Sequence, residues 1–287
     1  MDDRQMKQKQ LEILHELDRV CNEVGVRYYL AYGSCLGAVR HQGYIPWDDD
    51  IDVVMTVPAM KKLLENRDRF RDNYFIQCRQ TEPNWTNMMY NLRDSNTSYF
   101  SIEDGQKDIN HGMKVDIYLL FPYPDNPFVA HKLIIDTFIL RLLYMRNSGE
   151  LPEHHGRFVK WGSKVVKALY PGKRGDRKIR AVEDKLVNNG GKKYVSVFFG
   201  DDITPFSAFK FPVELFQEPK RLKFEDYMAP CPSQPELMCE MCYGKDYMAF
   251  PPEEKRQSRH DTYFVSCDEP YTKYEGIYYH SGKLTRE

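Results

Sequence analysis

The chain of 287 residues is long enough to bury the core of one large domain or of two small ones. Its hydrophobic fraction of 41%, with 20 tyrosines and 16 phenylalanines, is typical of a folded globular protein and argues against a disordered chain. Because 41 basic residues balance 42 acidic ones, the overall charge indicates neither a nucleic-acid-binding protein nor one held by charge to an anionic membrane.

The sequence pattern favours a cytoplasmic location. No stretch approaches the roughly 20 apolar residues of a membrane-spanning helix. The N-terminal sequence MDDRQMKQKQ is charged where a signal peptide is apolar. The seven cysteines are odd in number and scattered, which is typical of reduced thiols and not of a disulfide framework. We therefore expect a cytoplasmic protein.

Helix and strand patterns alternate through the first half of the chain. Leucines at helical spacing predict a helix over residues 5–22. Ser34 is a suitable N-cap for a short helix that reaches Val39, and Pro58 suits the first turn of a third helix. Apolar runs bounded by turn residues predict strands over residues 26–31, 51–55, 74–80, 88–92 and 113–121.

The second half is helical at first and irregular later. The apolar residues 128–144 predict a buried helix, and the basic span 151–189 has a helical pattern. A short strand follows over residues 194–199. The sequence PELMCEMCYGKDYMAFPPEEKRQSRH predicts a short helix followed by an extended, proline-rich segment.

The order of these elements favours a single α/β domain. There is no internal repeat and no low-complexity linker that would mark a domain boundary. We expect a core over about residues 1–125, decorated by helical and irregular elements over residues 126–287.

An acidic run, Asp48, Asp49, Asp50 and Asp52, lies where a loop enters the predicted strand 51–55. Alternate side chains on a strand share a face, so Asp48, Asp50 and Asp52 project together if the extended conformation begins at Asp48, while Asp49 points away. Converging carboxylates repel one another unless a cation lies among them. Ligation by oxygen alone suits Mg²⁺ or Mn²⁺.

Asp116, between apolar neighbours on another predicted strand, offers a fourth carboxylate. Acidic triplets are often solvated turns, but the adjoining apolar strand disfavours that explanation, because buried unpaired charge is costly. A calcium-binding EF-hand is excluded, because that loop needs Gly and Glu where this chain has Val53 and Ala59.

A Gly33-Ser34 turn follows the first predicted strand and opens a helix. Backbone N–H groups at such a helix N-terminus can bind a phosphate group. A small residue is also common at strand-turn-helix junctions for steric reasons alone. The acidic strand one short helix downstream favours the phosphate interpretation.

These two features lie in the sequence YGSCLGAVRHQGYIPWDDDIDV (residues 32–53), which resembles the signature of the LicD family of phosphotransferases. Its animal relatives are the fukutin and fukutin-related proteins, within the nucleotidyltransferase superfamily. The resemblance continues in NLRDSNT (residues 91–97), KVDIYLLFPYPDNP (residues 114–127) and YGKDYMAFPPEEKRQSRH (residues 243–260).

The resemblance implies an α/β (α+β) fold, a nucleotidyltransferase-like mixed sheet flanked by helices, with helical and irregular C-terminal additions. It implies that Gly33 and Ser34 form the phosphate-binding turn. The interval between this turn and the acidic run is somewhat longer than in the superfamily pattern, which leaves open which two clustered aspartates are direct ligands. The carboxylates that it assigns to catalysis and to metal binding are Asp48, Asp50, Asp52 and Asp116.

Members of this family transfer phosphocholine from CDP-choline to a sugar hydroxyl of a surface glycan, releasing CMP, and relatives use other CDP-alcohols. The resemblance thus implies a CDP-alcohol donor, a glycan or glycolipid acceptor, and two Mg²⁺ or Mn²⁺ ions. Asp116 is the candidate base for the acceptor proton. A glycosyltransferase with an Asp-x-Asp pair, and a silent scaffold on the same fold, are the alternative functions.

Further residues are candidates for substrate binding. Arg40 can hold a donor phosphate through a bidentate contact or can form a surface ion pair, and His41 can move a proton or can be a plain turn residue. Arg93 can line a pocket or belong to a strand end. In the tail, aromatic and basic residues can close over the site or simply pack there: Tyr243, Arg256 and His260.

Two other motifs have competing explanations. The pair Cys239-x-x-Cys242 can begin a zinc site, but four ligands are needed and ordinary buried thiols explain it as well. The basic segment 160–180 can contact the anionic inner face of a membrane or can be a solvated helix face.

Overall fold

The structure, a computed structural model, describes residues 3–85, 87–102, 104–147, 156–199, 204–256 and 262–281. The helices are α1 (Asp3–Val24), α2 (Tyr32–Arg40), α3 (Val57–Glu65), α4 (Pro127–Asn147), α5 (Gly156–Leu169), α6 (Lys173–Val187) and α7 (Pro235–Tyr243). The strands are β1 (Tyr29–Leu30), β2 (Asp52–Thr56), β3 (Tyr74–Gln77), β4 (Tyr90–Asp94), β5 (Ser98–Ser101), β6 (Met113–Tyr123), β7 (Tyr194–Val197), β8 (Lys210–Pro212), β9 (Lys220–Phe224), β10 (Tyr227–Cys231) and β11 (Thr262–Ser266).

The expected α/β class with a mixed sheet flanked by helices is confirmed.

The described residues fall into two compact units. The first unit comprises Met1–Trp85, Tyr90–Tyr118 and Glu214–Glu287, and the second comprises Thr86–Met89 and Leu119–Val213. That the chain forms one domain with a core over residues 1–125 stays a prediction.

In the first unit the central strands lie in the order β1-β2-β6-β4-β3. β1 is antiparallel to β2, and β4 is antiparallel to both β3 and β6. In the register of β4 and β6, Asn91 lies opposite Asp116. Two antiparallel pairs, β9 with β10 and β5 with β11, complete the unit. The middle strands β2 and β6 are therefore held on both sides, which makes them a rigid support.

Helix α1 contributes one apolar face to the core, because Ile13, Leu14 and Leu17 are completely buried. It packs against α3 and β4. Thr56 begins α3 by accepting a hydrogen bond from the backbone N–H of Ala59, and a proline lies in the first turn as predicted.

Two boundaries near the acidic run differ from those predicted. The first strand is only Tyr29–Leu30, and α2 begins at Tyr32 instead of at Ser34. Tyr32 has a φ of 43°, an uncommon value for a residue other than glycine. The chain therefore turns sharply from β1 into α2, and Ser34 lies in the first helical turn instead of capping it.

The second unit contains three helices and the antiparallel strands β7 and β8, with β7 paired to the end of β6. The predicted helical span 151–189 is divided into α5 and α6, and Gly172 at the junction has a φ of 48°. Helix α4 is not buried on all sides as predicted, since Phe128 is 87% exposed and Ile135 51% exposed.

Glu16 is a buried carboxylate of α1 that accepts hydrogen bonds from Arg19 and from the backbone N–H of Arg71. Burial opposes its ionisation, but these hydrogen bonds lower its pKa overall. The resulting stabilisation is present above the unfolded pKa of roughly 4.3 and is lost as the pH falls through the lowered folded pKa.

We predict that Glu16→Gln lowers the free energy of unfolding at pH 7 by about 1–3 kcal/mol, because charged hydrogen bonds are replaced by neutral ones. Denaturant unfolding at several pH values measures this. The difference from the wild type should shrink below pH 4. Glu23→Gln is the control, since Glu23 forms exposed ion pairs, and it should change stability by less than about 1 kcal/mol. Equal effects of the two substitutions would contradict the argument.

Candidate active site

The acidic run lies at the entry to β2. The strand begins at Asp52, so Asp48, Asp49 and Asp50 belong to the loop before it. The paired strand therefore does not reach back to Asp48, and Asp49, which was expected to point away, has a carboxylate oxygen within 4.8 Å of those of Asp48 and Asp50. The backbone carbonyl of Ile51 accepts a hydrogen bond from the N–H of Asp116 at 2.9 Å. This contact brings β6 against the loop.

Carboxylates of the loop, β2 and β6 converge. Oxygen atoms of Asp50, Asp52 and Asp116 lie within 4.8 Å of one another, and so do oxygen atoms of Asp48, Asp49 and Asp50. Asp50 thus belongs to both groups. These are the candidate metal-binding groups in the part of the chain that the structure describes. Oxygen donors spaced in this way suit a hard divalent cation such as Mg²⁺ or Mn²⁺.

Asp52 provides a test of whether a cation fits. Its Oδ1 atom is buried and has no hydrogen-bond partner within the described residues. Burial raises the pKa of Asp52 well above its ordinary value, and the charges of Asp50, Asp116 and Asp48 raise it further, while Lys114 opposes them. A buried oxygen of this kind is costly unless a cation or proton satisfies it. The arrangement therefore fits a metal ion.

Lys114 is a site residue that the sequence analysis missed. Its Nζ lies 2.7 Å from Asp116 Oδ2, and both side chains are largely buried. Residues two apart on a strand share a face, so the spacing of Lys114 and Asp116 in β6 could have placed Lys114 beside the carboxylates. The ammonium group partly compensates the crowded carboxylates.

The Gly33-Ser34 turn is coupled to the acidic loop. The Ser34 hydroxyl oxygen accepts a hydrogen bond from the backbone N–H of Asp52 at 2.9 Å. A Cβ atom on Gly33 would lie 2.4 Å from Asp48 Oδ2, so a larger residue at this position would displace the Asp48 carboxylate. The turn and the carboxylates therefore form one structural assembly. A phosphate-binding role for the turn stays a prediction.

Two tyrosines flank the carboxylates. Burial, together with Cys242, Asp52 and Asp48, raises the pKa of Tyr243. Burial, together with the aspartates of the loop and β6, raises the pKa of Tyr99 on β5. Tyr243 was a sequence candidate and Tyr99 was not. Both phenols stay protonated at neutral pH and can donate hydrogen bonds there.

Arg40 and Arg256 meet at one aromatic ring. Arg40 lies 5.1 Å and Arg256 5.5 Å from the ring centre of Phe250, and Arg256 is also 5.6 Å from that of Trp47. Arg40 donates from Nη1 to the carbonyl oxygens of Tyr247 and Ala249, and from Nε to the ring of its neighbour, His41. The tail is thus tied to α2. Closure of Arg256 over a bound substrate stays a prediction.

His41 packs edge-on against Trp47 and Phe250. Burial and the adjacent Arg40 charge lower its pKa, so it is neutral at pH 7. Whether Arg40 or His41 contacts a substrate stays a prediction.

Arg93 is buried within the sheet, with 4% of its surface exposed. It donates to Gln77 Oε1 at 2.6 Å and to the carbonyl oxygen of Gly112 at 2.7 Å. These contacts make Arg93 a residue that positions its neighbours.

His260, the last of the tail candidates, lies outside the described residues.

All seven cysteines are free thiols. Cys239 lies against Cys35, with the sulfur atoms 4.0 Å apart, where α7 packs on α2. The groups that can hold a metal among the described residues consist of aspartates, so the pair Cys239 and Cys242 is explained by packing.

Comparison with known proteins identifies the region that contains these carboxylates. The model of the family "LicD/FKTN/FKRP, nucleotidyltransferase domain" matches residues 25–141. The matched region, residues 25–141, is similar to a LicD-family nucleotidyltransferase domain. It includes Gly33, Ser34 and all four predicted metal carboxylates, whereas the tail candidates lie beyond it.

Individual relatives match shorter segments. A segment of 53 residues, 17% of this chain, is 45% identical to the lipopolysaccharide cholinephosphotransferase LicD of Haemophilus influenzae and covers 20% of that protein. Segments of 42 residues, 15% of the chain, are 38% identical to uncharacterised proteins of Rickettsia prowazekii and Rickettsia typhi, and cover 16% and 14% of them. The similarity thus spans a fifth or less of these relatives' lengths.

No helix within the described residues is long and apolar enough to cross a lipid bilayer.

We predict that Asp52→Asn stabilises the protein in the presence of a chelator by about 1 kcal/mol, or roughly 2–4 °C in the melting temperature, because it removes a buried, crowded charge. Because burial and the neighbouring charges raise the folded-state pKa of Asp52, the contribution of Asp52 to stability is greatest below the unfolded pKa of roughly 3.9 and is lost as the pH rises through the folded pKa. Thermal melts between pH 4 and pH 8 in EDTA should show this loss for the wild type and a smaller one for the variant. A lower melting temperature of the variant at pH 7 would refute the prediction.

Proposed function

We propose that this protein is a metal-dependent phosphotransferase that moves a phosphoalcohol, phosphocholine from CDP-choline in the first instance, to a hydroxyl group of a cell-surface glycan or its lipid-linked precursor, releasing CMP. The observation that carries the proposal is the buried, unsatisfied Asp52 oxygen among carboxylates within a LicD-family domain. The printed function of the Haemophilus influenzae relative supports the choice of phosphocholine and of a lipopolysaccharide-type acceptor.

Four aspartates would hold the metal in this proposal, as two Mg²⁺ or Mn²⁺ ions. Such ions, when bound, neutralise the diphosphate of a donor and polarise the acceptor hydroxyl. Asp50 belongs to both carboxylate groups, so its loss would remove a proposed ligand from each of them. The proposed ligands are Asp48, Asp50, Asp52 and Asp116.

The chain itself would orient the reactants. The first turn of α2, at Gly33 and Ser34, presents backbone N–H groups to a donor phosphate. Tyr243 and Tyr99 can donate hydrogen bonds to charged oxygens beside the aspartates. Asp116 is the proposed acceptor for the hydroxyl proton, since its carboxylate reaches the cluster from β6 and keeps Lys114 at its other oxygen.

A membrane-facing surface in the second unit would bring the enzyme to a lipid-linked acceptor at the cytoplasmic face. On α5, Trp161 is 68% exposed and Leu169 56% exposed, eight residues apart on one side of the helix. The next helix in the chain, α6, presents Lys173, Arg177 and Arg180 at helical spacing and exposed to solvent. Exposed apolar residues on one helix and cationic residues on the next support binding to anionic lipids over a merely solvated helix.

We predict that the purified protein with Mg²⁺ or Mn²⁺ releases CMP from CDP-choline in the presence of a glycan acceptor, and that Asp50→Ala lowers this rate by a factor of roughly 100 or more. Chromatographic detection of the released nucleotide measures it. Asp68→Ala is the control, because Asp68 is an exposed carboxylate outside the cluster. A panel with other CDP-alcohols and with UDP-sugars completes the test. Release of UDP but not CMP would support a glycosyltransferase and overturn the proposal.

We predict that the protein sediments with vesicles containing anionic phospholipid and that the triple reversal Lys173→Glu, Arg177→Glu and Arg180→Glu abolishes this. Each charge near an anionic surface contributes about 1 kcal/mol, so the reversal should weaken binding at least tenfold. Lys61→Glu, at an exposed lysine of α3, is the control. Equal sedimentation of the variant and the wild type would show that this face does not bind the membrane.

A further inference from the structure

Lys114 of β6 lies beside the carboxylate cluster and contacts it through Asp116. Its Nζ is 2.7 Å from Asp116 Oδ2, and 18% of its side chain is exposed. This is its single ion pair among the residues that the structure describes. An ammonium group has three N–H donors, of which Asp116 uses one. Lys114 can therefore donate two more hydrogen bonds to a ligand at the cluster.

A second cation lies on the same side of the sheet. Arg93 of β4 is directly opposite Lys114 in the register of β4 and β6, and directly opposite side chains share a face. The hydrogen bonds of Arg93 go to neutral acceptors, the Gln77 side-chain oxygen and the Gly112 carbonyl oxygen. Two positive charges thus neighbour each other, and in the described part of the chain only Lys114 has a carboxylate in direct contact.

The charge of Lys114 also acts beyond its own ion pair. Burial and the neighbouring aspartates raise the pKa of Asp52, and Lys114 opposes this rise. Burial opposes the ionisation of Asp104, but its ion partner Lys107 lowers the pKa of Asp104 overall. The charges of Arg93 and Lys114 lower this pKa further. Lys114 is therefore a source of positive potential for more than one anionic group.

Bound cations would change the charge balance at Lys114. The four proposed ligands carry four negative charges, and the two divalent cations of the proposed function would balance them. The ammonium group is then no longer needed to offset the carboxylates. The anion that reaches this place is the diphosphate of the donor, because the metal ions neutralise it there. A lysine ammonium group suits a phosphate, since it is a point charge with several donors.

We propose that the Lys114 ammonium group donates hydrogen bonds to the phosphate oxygens of the donor diphosphate while it keeps its contact with Asp116. The proposal rests on the proposed function and adds to it a phosphate contact made by the chain itself. In that reaction the acceptor oxygen bonds to the phosphorus atom of the phosphoalcohol, and the hydroxyl proton passes to Asp116. The bond from that phosphorus to the bridging oxygen breaks, and its electron pair leaves with CMP. A fixed positive charge stabilises the negative charge that CMP takes up.

The test is isothermal titration calorimetry of CDP-choline with the Mn²⁺-loaded, full-length protein in the absence of an acceptor. Lys114→Met keeps the length of the side chain but removes its charge and donors, so it should weaken CDP-choline binding roughly tenfold or more. CDP-ethanolamine should lose the same factor, because it shares the diphosphate and differs only in the alcohol. A loss confined to CDP-choline would overturn the proposal.

Lys178→Met is the matched control. Lys178 also forms an ion pair with a largely buried carboxylate, that of Asp136 at 2.6 Å, and 20% of its side chain is exposed. It belongs to the second unit, so its loss should leave CDP-choline binding unchanged. Lys114→Arg retains the charge and should bind CDP-choline nearly as well as the wild type. If Lys114→Met does not fold, Lys114→Gln takes its place, since it is uncharged and still polar.

A role in charge compensation alone gives a different result. The Mn²⁺ affinity of Lys114→Met, measured by the loss of the free-ion electron paramagnetic resonance signal, should be unchanged or higher, because the cation no longer competes with an ammonium group. A fall in Mn²⁺ affinity as large as the fall in CDP-choline affinity would contradict a phosphate contact. Unchanged CDP-choline affinity of the folded variant, with Asp50→Ala still inactive, would overturn the role of Lys114 and leave the proposed function intact. No binding of any CDP-alcohol by the Mn²⁺-loaded wild type would overturn both.

Discussion

The crowding of like charges at the entry to β2 is the constraint on which the surrounding structure depends. Three carboxylates lie within 4.8 Å, and one of their oxygens is buried without a hydrogen bond among the described residues. Such a cluster persists only if the rest of the fold holds it in place. Gln10 of α1 donates to the carbonyl oxygen of Asp49, and Ser34 accepts from the N–H of Asp52. The loop is thus fixed through its backbone.

The same arrangement explains why a glycine suits the first turn of α2. Asp48 approaches Gly33 so closely that any side chain there would displace the carboxylate. Local strain at Tyr32 brings α2 into this position, and the paired strands β2 and β6 maintain it.

The sequence was sufficient to locate the acidic cluster, because residues 32–53 contain both the small-residue turn and the aspartates, and the family match covers this stretch. Strand alternation was a poor guide to the loop, because Asp48, Asp49 and Asp50 precede β2 and the Asp49 carboxylate joins those of its neighbours. The partnership of Asn91 with Asp116 could not be predicted, because it depends on the register between two strands far apart in the chain. The exposure of α4 could not be predicted either, because it depends on tertiary packing and not on the apolar composition of the helix.

Lys114 is a counter-ion attached to the chain, and it touches the same carboxylate that would bind the divalent cation. Under the proposed function, a cation entering beside Asp116 competes with a tethered charge that cannot diffuse away. Without a bound cation, the Lys114 ammonium group already offsets part of the charge of the crowded carboxylates, so the fold would not depend on the ion that the proposed reaction requires.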